Sequence, residues 1–228
     1  MIIGINGKIG SGKDTIGKII QHLTSEWGDE EFQDTDMLDV RSNWEIKKFA
    51  GKLKTIASIL TGIPVENFEY QEYKKTLLGP EWGTVKENPL NSIPAFEDID
   101  FNHLMSVREL LQKLGTEAMR DGLHANVWVN ALFANYTDKN NWCITDMRFP
   151  NEMKAVEDKG GITIRVNRPY STVVGQGNGN PATFSQTQFH PSETALDGAK
   201  FTYEINNDGT MEDLVKKVRG ILIKENIY

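Results

Sequence analysis

The 228-residue chain has a single cysteine, Cys143. No internal disulfide can form, which fits a reducing compartment. Because Cys143 lies in the apolar run WCITD, an inert buried thiol is expected there rather than a reactive one. Long apolar runs are missing as well. None approaches the roughly 20 residues of a membrane helix, and the first apolar run lacks the length and basic start of a signal peptide. A cytoplasmic protein without a membrane partner is therefore expected. The third absence is a basic face: 25 Lys and Arg stand against 32 Asp and Glu, for a net charge of −7. With no Lys/Arg cluster, a nucleic-acid partner is not expected. Small anionic ligands remain open to the chain, since a few placed cations serve them whatever the net charge.

What the sequence does have is an alternation of strand and helix patterns. Ile2 to Asn6 is short and β-branched, as a buried parallel strand is. DTIGKIIQHL follows with Ile16, Ile19, Ile20 and Leu23 at helical spacing. WEIKKFA reads as a second strand and GKLKTIASILTG as a helix ended by Gly62. From Ile63 to about His103 no period dominates, and a stretch that long is expected to be a small lobe or binding loop. SVRELLQKLGTEAM restores a helix, with Ser106 and Glu109 as a capping box. The helical NVWVNALFANY, strand WCITD, helix PNEMKAVEDKGG, strand ITIRVNR, strand FTYEIN and a last helix over TMEDLVKKVRGILI complete the pattern. Such alternation argues for an α/β domain with a mainly parallel sheet flanked by helices. The Gly/Asn-rich stretch around GQGNGN contains no Lys or Arg from Tyr170 to Ala199, and its composition suits a mobile cover.

Gly7-x4-Gly12-Lys13 follows the first strand and opens a helix, the setting a phosphate-binding loop requires. Glycines let successive N–H groups turn inward, and the helix start adds partial positive charge. Gly10, Ser11, Gly12, Lys13, Asp14 and Thr15 are thus candidate ATP-binding residues, with Lys13 reaching the outer phosphates. Asp14 is anomalous, because that motif wants Ser or Thr there. A carboxylate beside a triphosphate is tolerable if Mg²⁺ lies between them, so Asp14 and Thr15 are candidate metal-organising residues, directly or through water. Alternatively Asp14 only caps the helix. Asp146, at the predicted end of WCITD, sits where open α/β sheets bind ligands, with Arg148 and Glu152 close behind. Arg108, Gln112 and Thr116 share one helical face.

Taken in order, GKIGSGKDT, SVRELLQKLGTE, VWVNAL, TDMRFPNE, GGITIRVNRP, HPSETALD and INNDGTMEDL resemble the deoxynucleoside monophosphate kinases of tailed bacteriophages. The resemblance runs from the start almost to the last helix and is weakest over 28–43, 63–103 and the Gly/Asn-rich stretch. It implies a P-loop NTPase fold in three layers, as a single domain with an inserted substrate-binding lobe (62–104) and a lid-like segment (169–200). It implies transfer of the ATP γ-phosphate to a deoxynucleoside monophosphate with Mg²⁺, and it accounts for GKDT, since related kinases carry their Thr one residue later. It places Lys8, Arg108, Gln112, Thr116, Trp128, Asp146, Arg148 and Glu152 around the acceptor, although Trp128 taken alone reads as a core aromatic. Lys13, Asp146, Arg148 and Arg168 are the expected catalytic set, with the arginines doing the work an arginine-bearing lid does elsewhere. A dephospho-coenzyme A kinase-like enzyme and a non-catalytic ATP-binding module are the competing readings. Self-association into a homodimer is left open.

Overall fold

The apolar run at the start of the chain becomes the central strand of a parallel sheet. In the computed structural model, which describes residues 1–33, 42–85, 99–168 and 194–228, this strand is β1 (Ile2–Gly7). It leads through the glycine loop into α1 (Lys13–Leu23). β2 (Trp44–Lys47), β5 (Asn141–Ile144), β6 (Ile162–Asn167) and β7 (Tyr203–Asn206) complete a five-stranded sheet in the order β2–β5–β1–β6–β7. Every neighbouring pair in it is parallel.

Alternation along β1 divides the two faces. Ile3 and Ile5 join Ile16, Ile19 and Ile20 of α1 and Leu214, Val218 and Leu222 of the last helix, α6 (Met211–Lys224), in one buried cluster. Each fully buried side chain of this kind contributes roughly 1.5–3 kcal/mol. Gly4 points the other way, and a Cβ there would lie 2.9 Å from Met147 Sδ and 3.2 Å from Val156 Cγ2 of α5 (Pro150–Glu157). Helices therefore cover both faces, which is the three-layer α/β architecture. α1 approaches the sheet at Gly17, where a Cβ would meet Thr145 Cγ2 at 2.7 Å.

Residue contacts divide the chain into two units, one of 1–49 with 132–228 and one of 50–131. The second unit holds α2 (Gly51–Thr61), which Gly62 ends in a left-handed C-cap (φ 70°), as its sequence suggests. Three short 3₁₀ turns follow, then the antiparallel pair β3 (Gly83–Val85) and β4 (Ile99–Leu104). α3 (Val107–Gln112) starts at the expected box, where Glu109 N–H donates to Ser106 Oγ at 3.2 Å and Ser106 N–H to Glu109 Oε2 at 2.8 Å. Ala57, Phe68, Leu78, Val107 and Leu110 form this unit's own core. The expected helix does not continue as α: Lys113–Asp121 is wound as a π-helix. α4 (Val127–Phe133) comes next in the chain. The predicted lid-like segment lies outside the described residues up to 193.

Candidate active site

Everything at the head of β1 is arranged around the glycine loop. Gly10 and Gly12 adopt positive φ of 77° and 95°, the left-handed region that a side chain enters only with strain. Among the described residues no atom beyond its chain neighbours lies within 4 Å of the place a Gly10 Cβ would occupy. At Gly12 the same atom would meet Asn207 Nδ2 at 2.6 Å. Asn207, just past β7, donates from Nδ2 to Ser11 O at 2.9 Å, and Arg168 donates from Nη1 to Gly10 O at 3.3 Å. Two side chains that follow β6 and β7 thus hold two consecutive loop peptides by their carbonyls, while the Ser11 N–H turns back within the loop to donate to Lys8 O at 3.0 Å.

Ser11 is 3% exposed, and its Oγ has no hydrogen-bond partner among the described residues. A buried hydroxyl left unmatched beside left-handed glycines suits a loop built to receive an anion. Lys13 is 8% exposed, with Nζ 3.4 Å from Lys8 O, so its ammonium is folded back along the loop. Thr15, the hydroxyl of GKDT, follows in the first turn of α1 and is half-buried.

Asp14 does not cap its helix. The N-cap position is Gly12 and has no side-chain cap bond. Instead Asp14 Oδ1 accepts from Thr145 Oγ1 at 2.8 Å and lies 3.4 Å from Lys48 Nζ. Burial pushes the Asp14 carboxyl up, but Lys48, the Thr145 hydroxyl and Lys13 together outweigh it and hold the carboxyl below the ordinary carboxylate value. The neighbour that makes an acid acceptable here is therefore a lysine of this chain. Among the described residues no three His, Cys, Asp or Glu side chains gather as a metal cage.

Strand β2 ends at Lys47, short of the predicted WEIKKFA, because the next residues turn toward the site: Phe49 N–H donates to Asp146 Oδ1 at 2.7 Å. Asp146 falls two residues past β5, at the strand end that the sequence indicates. Glu152 is 2% exposed, and its Oε2 accepts from the N–H groups of Arg148 (2.7 Å) and Phe149 (3.1 Å). Its carboxylate thereby stabilises the start of α5 and fixes the backbone that carries Arg148. Lys8 Nζ lies 3.8 Å from Asp197 Oδ2.

In the second unit, Arg108, Gln112 and Thr116 are all exposed. In a regular α-helix Thr116 would drift roughly 80° from Arg108. The wider π-turns that begin at Lys113 take back much of that drift, and π segments recur at functional sites. Arg108 Nη2 donates to Gln71 Oε1 at 3.0 Å, so Gln71 joins this face. Trp128 is 4% exposed, and its indole N–H donates to Gly115 O at 2.8 Å, bracing the π segment from behind. That is the placement of a core aromatic.

Sequence reasoning did not single out Asn6, Thr145, Lys48, Arg165, Asp197 or Asn207. A polar Asn6 and a charged Arg165 inside otherwise apolar strands were the available signals for two of them.

The deoxynucleotide monophosphate kinase family matches residues 67–218. The chain belongs to that family. A deoxynucleoside-5'-monophosphate kinase of Escherichia phage T5 is 25% identical over 245 aligned residues, covering 91% of this chain and 89% of the relative. The deoxynucleotide monophosphate kinases of Enterobacteria phage T4 and Escherichia phage RB69 are 30% and 27% identical over 122 and 128 residues. Those two matches cover about half of each relative, 45% and 47%. Among the described residues no helix is long and apolar enough to cross a membrane.

Proposed function

We propose that this member of the deoxynucleotide monophosphate kinase family transfers the γ-phosphoryl group of ATP to the phosphate of a deoxynucleoside monophosphate, giving ADP and a deoxynucleoside diphosphate. The observation that carries the reading is the glycine loop: left-handed Gly10 and Gly12 and a Ser11 hydroxyl unmatched among the described residues lie between the central strand and α1, and the inward Lys13 opens that helix.

The transfer makes one P–O bond to the acceptor phosphate as the bond between the γ-phosphorus and the oxygen bridging it to the β-phosphate breaks. The protein's task is to position two anions and offset their charge. The N–H groups of Gly10, Gly12 and Lys13 receive the phosphate oxygens of ATP, and the Lys13 ammonium follows the charge onto the departing β-phosphate. Bound Mg²⁺ supplies further positive charge to the triphosphate, and Asp14 and Thr15 are the residues that would organise its water shell. Arg148 and Lys8 bind the acceptor phosphate and offset its repulsion with the donor. Arg168, tied to the loop at Gly10, neutralises charge during transfer. Asp146 orients the acceptor end. Glu152 acts through the backbone of Arg148.

In the second unit, Arg108, Gln112 and Thr116 recognise the acceptor nucleotide, with Trp128 supporting them through Gly115. A cytoplasmic setting fits the lone buried cysteine, and a deoxynucleotide rather than a nucleic acid fits the acidic surface.

The test is label transfer from γ-labelled ATP to each of the four common deoxynucleoside monophosphates, with dephospho-coenzyme A and no acceptor alongside. Label in a deoxynucleoside diphosphate is the expected result. Label in the coenzyme A precursor alone would assign the competing kinase activity.

A further inference from the structure

Arg165 is the one arginine inside a strand of the parallel sheet, and its side chain is only 14% exposed. It stands beside Asn6 in the β1–β6 register. Its Nη1 donates to Asn6 Oδ1, and its Nη2 donates to Asp197 Oδ1 at 2.7 Å. Asn6 is buried and donates from Nδ2 to Met147 O at 2.8 Å. The amide can stand only this way round, because a guanidinium only donates and a carbonyl only accepts.

The consequence falls on Met147. Its carbonyl is held by Asn6 and its N–H donates to Ile5 O at 3.2 Å. One peptide stretch is thus pinned to β1 from both sides, and the residues flanking Met147 are Asp146 and Arg148. Glu152 pins the next N–H along, that of Arg148. A polar relay therefore runs from Asp197 through Arg165 and Asn6 to the backbone carrying two residues of the proposed transfer site. The same Asp197 carboxylate pairs with Lys8 of the glycine loop, so its far end lies on the donor side.

We infer that Arg165 and Asn6 are positioning residues for the phosphoryl transfer: the Arg165 guanidinium orients the Asn6 amide, and the Asn6 amide fixes the Met147 peptide and with it Asp146 and Arg148. The inference rests on the kinase reading above. Among the described residues both side chains bond to each other, to Met147 and to Asp197 rather than to the phosphate-loop peptides, so the effect of removing them falls on turnover rather than on ATP affinity. A displacement of about 1 Å at a reacting centre costs roughly 10²-fold in rate.

Arg165→Met leaves Asn6 Oδ1 without its donor. Asn6→Asp keeps a partner for Arg165 but sets a carboxylate oxygen against the Met147 carbonyl, breaking the relay at its last link while preserving the ion pair. Arg165→Lys reaches one partner of the two.

The experiment measures kcat, KM for ATP and melting midpoint for wild type and these variants, with the deoxynucleotide acceptor saturating. The expected result is a kcat lowered roughly 10- to 100-fold in Arg165→Met and Asn6→Asp, with KM for ATP within about threefold of wild type. Arg165→Lys falls between, and the double variant loses no more than the worse single one. Should Arg165→Met not fold, Asn6→Asp and Arg165→Lys carry the comparison. Wild-type kcat in Asn6→Asp overturns the inference, as do multiplying losses in the double variant. A wild type that turns over beside unaffected variants sinks this inference alone. A wild type with no acceptor-dependent turnover sinks the kinase reading and this inference together.

Discussion

The hydroxyl of Thr145 donates to Asp14 Oδ1 across 2.8 Å, joining the first turn of α1 to the end of β5. Lys48 Nζ lies 3.4 Å from the same oxygen and balances its charge. The acid that looks misplaced in a phosphate loop is a tie between helix and sheet, and Gly17 lets α1 come close enough to make it.

That tie has a pH signature. The folded-state carboxyl of Asp14 is held below the ordinary value of 3.8, so its contribution is present above that value and is lost as pH falls through the lower folded value. Asp14 is 58% exposed and its partner is a surface lysine, so no more than about 1 kcal/mol is expected. Urea unfolding should show Asp14→Asn less stable than wild type at neutral pH, with the difference shrinking by about pH 3. A difference that grows in acid would contradict the assignment.

Arg148→Ala separates chemistry from folding. The Glu152 carboxylate grips Arg148 by its backbone N–H, so truncating the side chain leaves that bond in place. Turnover should fall on the order of 10³-fold, the worth of a charge-neutralising arginine in phosphoryl transfer, with equilibrium ATP binding near wild type. Rapid-quench single turnover reads this directly. If shortening GQGNGN abolishes transfer while Arg148→Ala stays active, the charge is met from the 169–200 segment instead.

For Trp128 the structure and the family resemblance suggest different roles. A buried indole bonded to Gly115 O predicts that Trp128→Phe loses that hydrogen bond and costs about 0.5–1.5 kcal/mol. The melting midpoint should drop with little change in KM for the acceptor. A raised acceptor KM at unchanged midpoint would instead place the ring against the nucleotide.

The parts legible in the sequence were those set by local physics. Ile16, Ile19, Ile20 and Leu23 mark α1 by period alone, and Ser106 with Glu109 marks the start of α3 by reciprocal capping. The glycine loop was legible because strand, turn and helix adjoin in the chain. The β3–β4 pair was not, since its strands are short and irregular, with a register shift between Gly83 and Thr84. The π-winding of Lys113–Asp121 was equally hidden, because the sequence there is that of an ordinary helix. The polar ties were missed for a different reason. Asn6 meets Met147, Thr145 meets Asp14 and Asn207 meets Ser11 across separations of 141, 131 and 196 residues, which no local pattern encodes.

The central claim is acceptor-dependent phosphoryl transfer at the glycine loop, and ADP release with and without a deoxynucleoside monophosphate tests it most directly. The chain should release ADP at a rate that rises with the acceptor and is lost in Lys13→Ala, while that variant keeps the wild-type melting midpoint. ATP binding with no acceptor-dependent ADP release, or full turnover in folded Lys13→Ala, would contradict it.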